Sequence, residues 1–156
     1  MKKYFIALIL CFVSVLCSAQ LNIKRDNKDI LATNAFGDAV VSFNNQIFLQ
    51  LEFYIGSTSR NRQNDISVGY KYIKLGDDIE QSIFSLNQML DLISEKITDK
   101  ITIQTKDNLI LTISKDWQGG LEFNYDNDGD KTNYPLYSVI YDFRIKSLNK
   151  KLNKLL

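Results

Sequence analysis

The chain has 156 residues, of which 45% are hydrophobic and 24% charged, and its formal net charge is +1 with no histidine at all. The lack of histidine excludes a Ser-His-Asp triad, a Cys-His pair and the usual histidine-containing zinc and iron sites. The near balance of acidic and basic residues argues against nucleic acid or an anionic membrane as a partner.

The first 19 residues have the three parts of a secretory signal peptide. A basic pair at 2–3 precedes an apolar run over 4–16, and small residues follow up to Ala19, just before Gln20. The apolar run is shorter than the roughly 20 residues that cross a bilayer. We therefore expect cleavage between Ala19 and Gln20, release to the bacterial periplasm or cell exterior, and no transmembrane segment in the mature chain.

Cys17 offers a rival interpretation, because a bacterial lipoprotein also carries its cysteine just after the apolar run. The residue before such a cysteine is normally small, and here it is Leu16, which disfavours a lipid anchor. The other cysteine, Cys11, also lies before the expected cleavage site. The mature chain would then have no disulfide and no thiol chemistry.

The polar residues 20–29 have no period and are interpreted as a loose leader, so a single globular domain is assigned to 30–156. Two β-rich runs, 40–43 and 47–55, flank Asn44-Asn45, which is a hairpin signal because Asn tolerates positive φ. Alternate residues of the second run are apolar. This period of two predicts one buried face and one face that is at least partly wet.

A polar loop is predicted over 56–65, followed by a strand over 66–75. Arg60 and Arg62 on this loop are candidates for binding an anionic ligand. The simpler interpretation is that two exposed arginines among Ser, Asn and Gln only make the loop soluble.

A helix is predicted over 78–97, with Asp77 as its cap and Glu80 completing a capping box. Six apolar residues recur at spacings of three and four: Ile79, Ile83, Leu86, Leu90, Ile93 and Ile97. This stripe is typical of a helix that packs on a sheet. Self-association through the same face is the alternative, although a coiled coil needs a longer repeat.

Four further strands are predicted, over 100–105, 108–115, 120–125 and 135–143, with turns at Asp107-Asn108, at Gly119-Gly120 and at the polar segment between the last two. A second helix is predicted over 143–155, with a lysine-rich outer surface and an apolar stripe of Ile145, Leu148, Leu152 and Leu155. Lysines near a helix C-terminus complement its dipole. A helix lying on a membrane surface is the alternative, but so short a segment would bind weakly.

The order of strands then helix, repeated once, predicts an α+β fold with an antiparallel sheet covered by two helices. The same order suggests a duplicated meander-plus-helix unit, although no residue-level repeat supports it. Tandem units of this kind occur in nucleic-acid-binding folds, but fold analogy does not supply function.

Three aspartates within five residues, Asp126, Asp128 and Asp130, are the candidate metal ligands for calcium. A helix-loop-helix calcium loop needs glycine at position 6 and glutamate at position 12. Counting from Asp126 places Tyr137 at position 12, and counting from Asn124 places Pro135 there, so both registers fail. The favoured interpretation is a solvated hairpin turn without a cofactor, and weak calcium binding is the alternative.

Aromatic residues cluster in the last third of the chain: Trp117, Tyr125, Tyr134, Tyr137 and Tyr141. They are candidates for a surface that binds a sugar or a protein, with Trp117 and Tyr134 as the proposed ligand-binding residues. A carboxylate pair, Glu52 or Glu122 with one of the three aspartates, would instead permit hydrolysis of a glycan.

The sequence therefore favours a small exported, non-catalytic binding protein that contacts a protein or another component of the cell envelope. A carboxylate-dependent glycan hydrolase and a structural or assembly protein are the alternatives.

Overall fold

The computed structural model describes residues 28–56, 65–125 and 136–156. Within them the elements are β1 (Lys28–Thr33), β2 (Ala39–Phe43), β3 (Gln46–Ile55), β4 (Ile66–Gly76), α1 (Ile79–Ser94), β5 (Ile101–Gln104), β6 (Ile110–Lys115), β7 (Leu121–Tyr125), β8 (Leu136–Ile140) and α2 (Asp142–Leu152). Eight antiparallel strands in one sheet and two helices confirm the predicted α+β class. Neither helix in this part of the chain is long and apolar enough to cross a membrane.

The strands form two successive meanders, each followed by a helix. We call β1–β4 the first meander and β5–β8 the second meander. The strand order is β1-β2-β3-β8-β7-β6-β5, and β4 pairs with the other edge of β3. The meanders meet twice, because Tyr54 and Ile55 of β3 pair with Tyr137 and Leu136 of β8, and Ile73 of β4 bridges Thr105 just after β5.

One hydrophobic cluster joins both meanders and both helices. Strands supply its largest fully buried side chains through the period of two, and the helices supply the stripes predicted from the three-and-four spacing. Members with no measurable exposure include Leu49, Leu51, Phe53, Ile73, Leu86, Leu111, Leu121, Phe123, Ile140, Ile145, Leu148 and Leu152. Removing water from these side chains is the main favourable contribution to folding.

The opposite, outer face of the sheet is only partly exposed to solvent. Glu52 and Tyr54 are half-buried there, as the alternation predicts. Phe48 and Gln50 share that face but are buried, and Phe48 belongs to a second small cluster with Ala39, Val41, Phe43 and the packed ring of Tyr72. The first meander therefore packs apolar side chains on both of its faces.

The predicted turns depend on backbone conformations that few residues adopt. Asn44 and Asn45 have φ of 48° and 61°, the left-handed pair that a two-residue β-hairpin requires. Asn108 and Gly119 also have positive φ, 64° and 88°. Asparagine and glycine have the smallest steric strain at positive φ, so the residues at these three turns themselves favour the hairpins.

β1 was not predicted from the sequence. Lys28 and Asp29 lie in β1, whereas the loose leader was expected to extend through residue 29. Only one side chain of β1, Ala32, is buried, because β1 is the last strand of the sheet order. A strand at an edge with one buried residue has no alternation for a sequence analysis to detect.

The cap of α1 lies one residue later than predicted. Asp78, not Asp77, has the extended backbone of a cap, and its carboxylate accepts a hydrogen bond from the Gln81 amide at 2.7 Å. The Gln81 side-chain carbonyl in turn accepts from the amide of Asp77 at 3.1 Å. Gln81 therefore takes the place expected for Glu80 in a reciprocal capping arrangement.

Candidate functional site

A cleft of about 290 Å³ lies on the outer face of the sheet where the two meanders meet. We call it the tyrosine cleft, and its lining residues are Tyr54, Asp65, Tyr137, Val139, Tyr141 and Arg144. They come from the end of β3, the residue before β4, β8 and the start of α2. A concave site that gathers several segments of the chain is the usual setting for ligand binding.

Strand pairing brings the tyrosines of the cleft together. Tyr54 and Tyr137 are direct partners in the β3–β8 ladder, with ring centroids 6.2 Å apart. Val139 and Tyr141 follow Tyr137 at intervals of two, so they extend along the same face. The chain then enters α2, and this turn places Arg144 beside the same cleft.

Each phenol hydroxyl of the cleft lies next to a fixed acceptor. Tyr137 donates a hydrogen bond to Asp65, and Tyr54 donates to Glu52 at 2.8 Å. The Tyr141 hydroxyl lies 2.7 Å from the side-chain carbonyl of Gln118 and 3.1 Å from the Asp116 carboxylate. These bonds hold the three rings in place before any ligand arrives.

The electrostatics of Glu52 and Tyr54 follow from their hydrogen bonds. The Ser67 hydroxyl at 2.5 Å, and then that of Tyr54, lower the pKa of Glu52 below its ordinary value. Burial, followed by the hydrogen bond and charge of Glu52, raises the pKa of Tyr54 to about 12. At neutral pH Glu52 is therefore ionised and Tyr54 is neutral, so this carboxylate accepts hydrogen bonds and has no proton to give.

Arg144 is held by an ion pair across 106 residues of sequence. Its Nε and Nη2 donate to the two carboxylate oxygens of Asp38, whose side chain is 2% exposed, and its Nη1 donates to the carbonyl of Val139 at 3.2 Å. The guanidinium carbon also lies 5.5 Å from the ring centre of Phe36. A planar two-pronged pairing of this kind fixes both position and orientation.

The loop between β1 and β2 positions Asp38. The side-chain carbonyl of Asn34 accepts from the amides of Phe36 and Asp38, at 2.9 and 3.2 Å, and its amide group donates to the Asp38 carboxylate at 2.7 Å. Asparagine that bonds to the backbone two residues ahead is a common way to fix a tight loop. The negative charge of Asp38 therefore balances Arg144 at the base of the cleft.

Exposed aromatic rings continue from the cleft onto the surface. The ring of Tyr141 lies nearly parallel to that of Phe143, with centroids 6.0 Å apart, and Phe36 meets Phe143 edge-on at 5.2 Å. Phe36 and Phe143 are 59% and 50% exposed. The tyrosine cleft thus has an apolar rim on the side of α2.

The structure brings together only part of the aromatic set named from the sequence. Tyr137 and Tyr141 lie in the cleft, whereas Tyr125 packs against the main core. Trp117 is 64% exposed and lies outside the lining, although its neighbours Asp116 and Gln118 both approach the Tyr141 hydroxyl. Trp117 therefore lies outside the tyrosine cleft, and its ligand-binding role stays a prediction.

The remaining candidates lie outside the described residues: Arg60, Arg62, Tyr134, Asp126, Asp128 and Asp130. The strand ends that flank these two segments are neighbours, because Ile55 pairs with both Ile66 and Leu136, and Leu136 pairs with Tyr125. In the described part of the chain, no three acidic, histidine or cysteine side chains are grouped so that they could hold a metal ion.

Glu52 and Glu122 lie on the two strands that flank β8, namely β3 and β7. Glu122 pairs with Val139, and the backbone carbonyl of Glu52 accepts from the Ser138 hydroxyl at 2.8 Å. Two strand spacings separate their backbones by roughly 10 Å. The Glu52 carboxylate also accepts hydrogen bonds from the hydroxyls of Ser67 and Tyr54.

Several site residues were missed by sequence reasoning. Arg144 and Asp38 were not predicted, because an ion pair between such distant positions produces no periodic pattern in the sequence. Asp65 was part of a predicted loop, and Tyr54 was assigned only to the wetter face of β3. The Asn-x-x-x-Asp spacing of Asn34 and Asp38 was the one local hint of a structured loop.

Comparisons with protein-family models, with curated protein sequences and with solved structures give no significant match to this chain.

Proposed function

We propose that this chain is an exported, non-catalytic binding protein and that the tyrosine cleft binds a saccharide portion of the cell envelope. The proposal is supported above all by one observation: three tyrosine rings, a carboxylate and a guanidinium converge on a single cleft of about 290 Å³. Export is proposed from the signal-like sequence of residues 1–19, which lie outside the described part of the chain.

The chemistry of the lining suits a neutral polyhydroxyl ligand. Tyrosine rings offer flat apolar faces to the C–H face of a sugar, and their hydroxyls are both donors and acceptors. Asp65 adds an acceptor beside Tyr137, and Arg144 has five N–H groups, of which the bonds above use three. Because Asp38 balances Arg144, the cleft presents no large excess of positive charge.

The lowered pKa of Glu52 argues against Glu52 as the general acid of a glycan hydrolase. A glycosidase needs one carboxylic acid with a raised pKa to protonate the leaving oxygen. The hydroxyls of Ser67 and Tyr54 have the opposite effect on Glu52, whose pKa they lower. This carboxylate is suited to orienting Tyr54 and not to donating a proton.

The test is a calorimetric titration of the purified protein with soluble oligosaccharides released from bacterial cell walls. Tyr137→Ala removes a ring and Asp65→Asn removes a charged acceptor, and each should weaken binding about tenfold or more, since hydrogen bonds to charged groups are worth about 1.5–3 kcal/mol. Trp117→Ala, an exposed aromatic outside the cleft, is the matched control and should leave affinity within about twofold of the parent.

Circular dichroism should first show that all three variants are folded. Equal affinity in the parent, Tyr137→Ala and Asp65→Asn would show that the cleft is not the site. Binding lost only in Trp117→Ala would move the site to the turn between β6 and β7. Turnover of the oligosaccharides, followed by reducing-end release, would refute a non-catalytic role.

A further inference from the structure

A second cleft, of about 320 Å³, lies at the opposite end of β3 from the tyrosine cleft. We call it the lysine cleft, and its lining residues are Gln46, Phe48, Lys74, Gln104, Thr105 and Lys106. Phe48 and Tyr54 are six residues apart on the same strand and face, a distance of roughly 20 Å. The two clefts are therefore separate sites on one surface.

The lysine cleft is built where the two meanders meet for the second time. Ile73 of β4 bridges Thr105, and the backbone amide of Lys106 donates to the carbonyl of Tyr72 at 2.8 Å. Thr105 is itself buried and fixed, since its hydroxyl donates to Asp107 at 2.5 Å and accepts from the Leu109 amide at 3.0 Å. These bonds place the end of β5 against the end of β4, with Lys74 and Lys106 lining the cleft between them.

The polar groups of this cleft are those that bind oxyanions. Two lysines, two glutamines and Phe48 are among the residues that line it. The Lys106 ammonium lies over the Phe43 ring, 3.9 Å from its centre, so the aromatic surface also supports a positive charge here. Lysine recognises phosphate and carboxylate groups as a compact positive charge.

Asp107, the acidic residue that follows Lys106, is already engaged by other groups. Asp107 is engaged by Lys71 at 2.5 Å and by Thr105, which together lower its pKa against the opposing effect of burial. Lys28, over the ring of Tyr72, adds another positive group to the same face. Among the described residues, three lysines thus lie at this part of the outer face: Lys28, Lys74 and Lys106.

The carboxylate of Asp77 already contacts a lysine of this cleft. Its side chain lies 2.8 Å from the Lys74 ammonium, which lowers its pKa, and Gln46 has a smaller effect in the same direction. The carboxylate is nevertheless 61% exposed. Exposed ion pairs contribute little, so an incoming anion can compete for the same two partners.

We propose that the lysine cleft is an oxyanion-binding site, for a phosphate or carboxylate group of a ligand, and that the carboxylate of Asp77 is its internal competitor. The site is independent of the proposed saccharide binding. Lys74 and Gln46 form the part that Asp77 occupies, and Lys106 supplies the second positive charge. Removing Asp77 therefore acts in the opposite sense from removing either lysine.

The experiment is a titration with inorganic phosphate and, separately, with glucuronate at low ionic strength, followed by NMR chemical shifts of the purified protein. Lys74→Ala and Lys106→Ala should each weaken binding about fivefold, and Asp77→Asn should strengthen it about threefold. Lys96→Ala, an exposed lysine after α1, is the matched control and should change nothing. All of these differences should shrink in 0.5 M salt, where screening extends only about 3–5 Å.

A response to phosphate alone would identify a phosphorylated ligand, and a response to glucuronate alone a carboxylated one. Either outcome supports the proposal. Equal effects of Lys74→Ala and Lys96→Ala, weaker binding in Asp77→Asn, or no shift with either probe would overturn it. Because the tyrosine cleft is tested with cell-wall oligosaccharides and with other variants, failure at one cleft does not affect the conclusion about the other.

Discussion

Replacing Arg144 by methionine tests whether the buried ion pair with Asp38 supports the fold. The substitution keeps much of the apolar side chain but removes two hydrogen bonds to Asp38 and one to the Val139 carbonyl. Asp38 is then left 2% exposed with the amide of Asn34 as its remaining side-chain partner. Removing one partner of a buried pair typically costs 3–5 kcal/mol, and because Asn34 remains we expect a loss of about 3 kcal/mol.

Urea unfolding followed by far-UV circular dichroism measures this loss, because the single tryptophan is too exposed to report on the core. With a slope of roughly 1.5–2 kcal/mol per molar urea, the midpoint should fall by about 1.5–2 M. The double variant Asp38→Asn with Arg144→Met should recover most of the loss, since it leaves no unpaired buried charge. Lys146→Met, which removes an exposed pair with Asp142, is the control and should cost no more than about 0.5 kcal/mol.

A loss below about 1 kcal/mol in Arg144→Met would contradict the reasoning, because the carboxylate would then be solvated or paired elsewhere. So would a double variant as unstable as the single one, which would assign the effect to packing and not to charge.

Three further predictions follow from the fold. Gly120→Ala should lower the free energy of unfolding by about 1–3 kcal/mol, since the added Cβ would lie 2.9 Å from both the Ile140 carbonyl and the Tyr141 ring. Thr102→Ala, at an exposed position, is the control and should change it by no more than about 0.5 kcal/mol. Equal urea midpoints for the two variants would contradict this prediction. Asp78→Ala should lower the free energy of unfolding by about 1 kcal/mol, because it removes the cap of α1. Asp77→Ala should leave the urea midpoint near that of the parent. A larger loss in Asp77→Ala than in Asp78→Ala would show that Asp77 is the cap. Ultraviolet titration at 295 nm should show the phenol of Tyr54 ionising near pH 12. Because this folded pKa lies above the unfolded value of 10, the free energy of unfolding should fall between pH 10 and about 12. Glu52→Gln should lower the pKa of Tyr54, and an unchanged titration would refute the Glu52 contact.

Local patterns were sufficient to predict most of the fold. The stripe of α1 and that of α2 were predicted from spacing alone, and Leu86, Ile145, Leu148 and Leu152 are buried as expected. Leu155, also in the predicted stripe, lies beyond the end of α2 and is 49% exposed. Both hairpin asparagines, Asn44 and Asn45, have the positive φ that their turn requires. These features depend on residues within a few positions of one another, which a single sequence records.

Features that depend on distant contacts were not predictable. Tyr54 meets Tyr137 only because β3 reaches past β2 to pair with β8, and no period links those strands. The same is true of Ile73 and Thr105, whose bridge creates the lysine cleft. β1 and the exact cap of α1 were also missed, the first because an edge strand buries so little and the second because two adjacent aspartates compete for one role.

The pairing of Asp38 with Arg144 has a consequence for the order in which the protein is completed. The two residues are 106 positions apart, and synthesis at about 5–20 residues per second separates their appearance by roughly 5–20 s. During that interval β1 and the loop before β2 lack the helix that packs against them, since α2 is the last of the described elements in chain order. Until α2 has been added, the first meander is incompletely covered, and a truncation within α2 would leave β1 without the helix that packs against it.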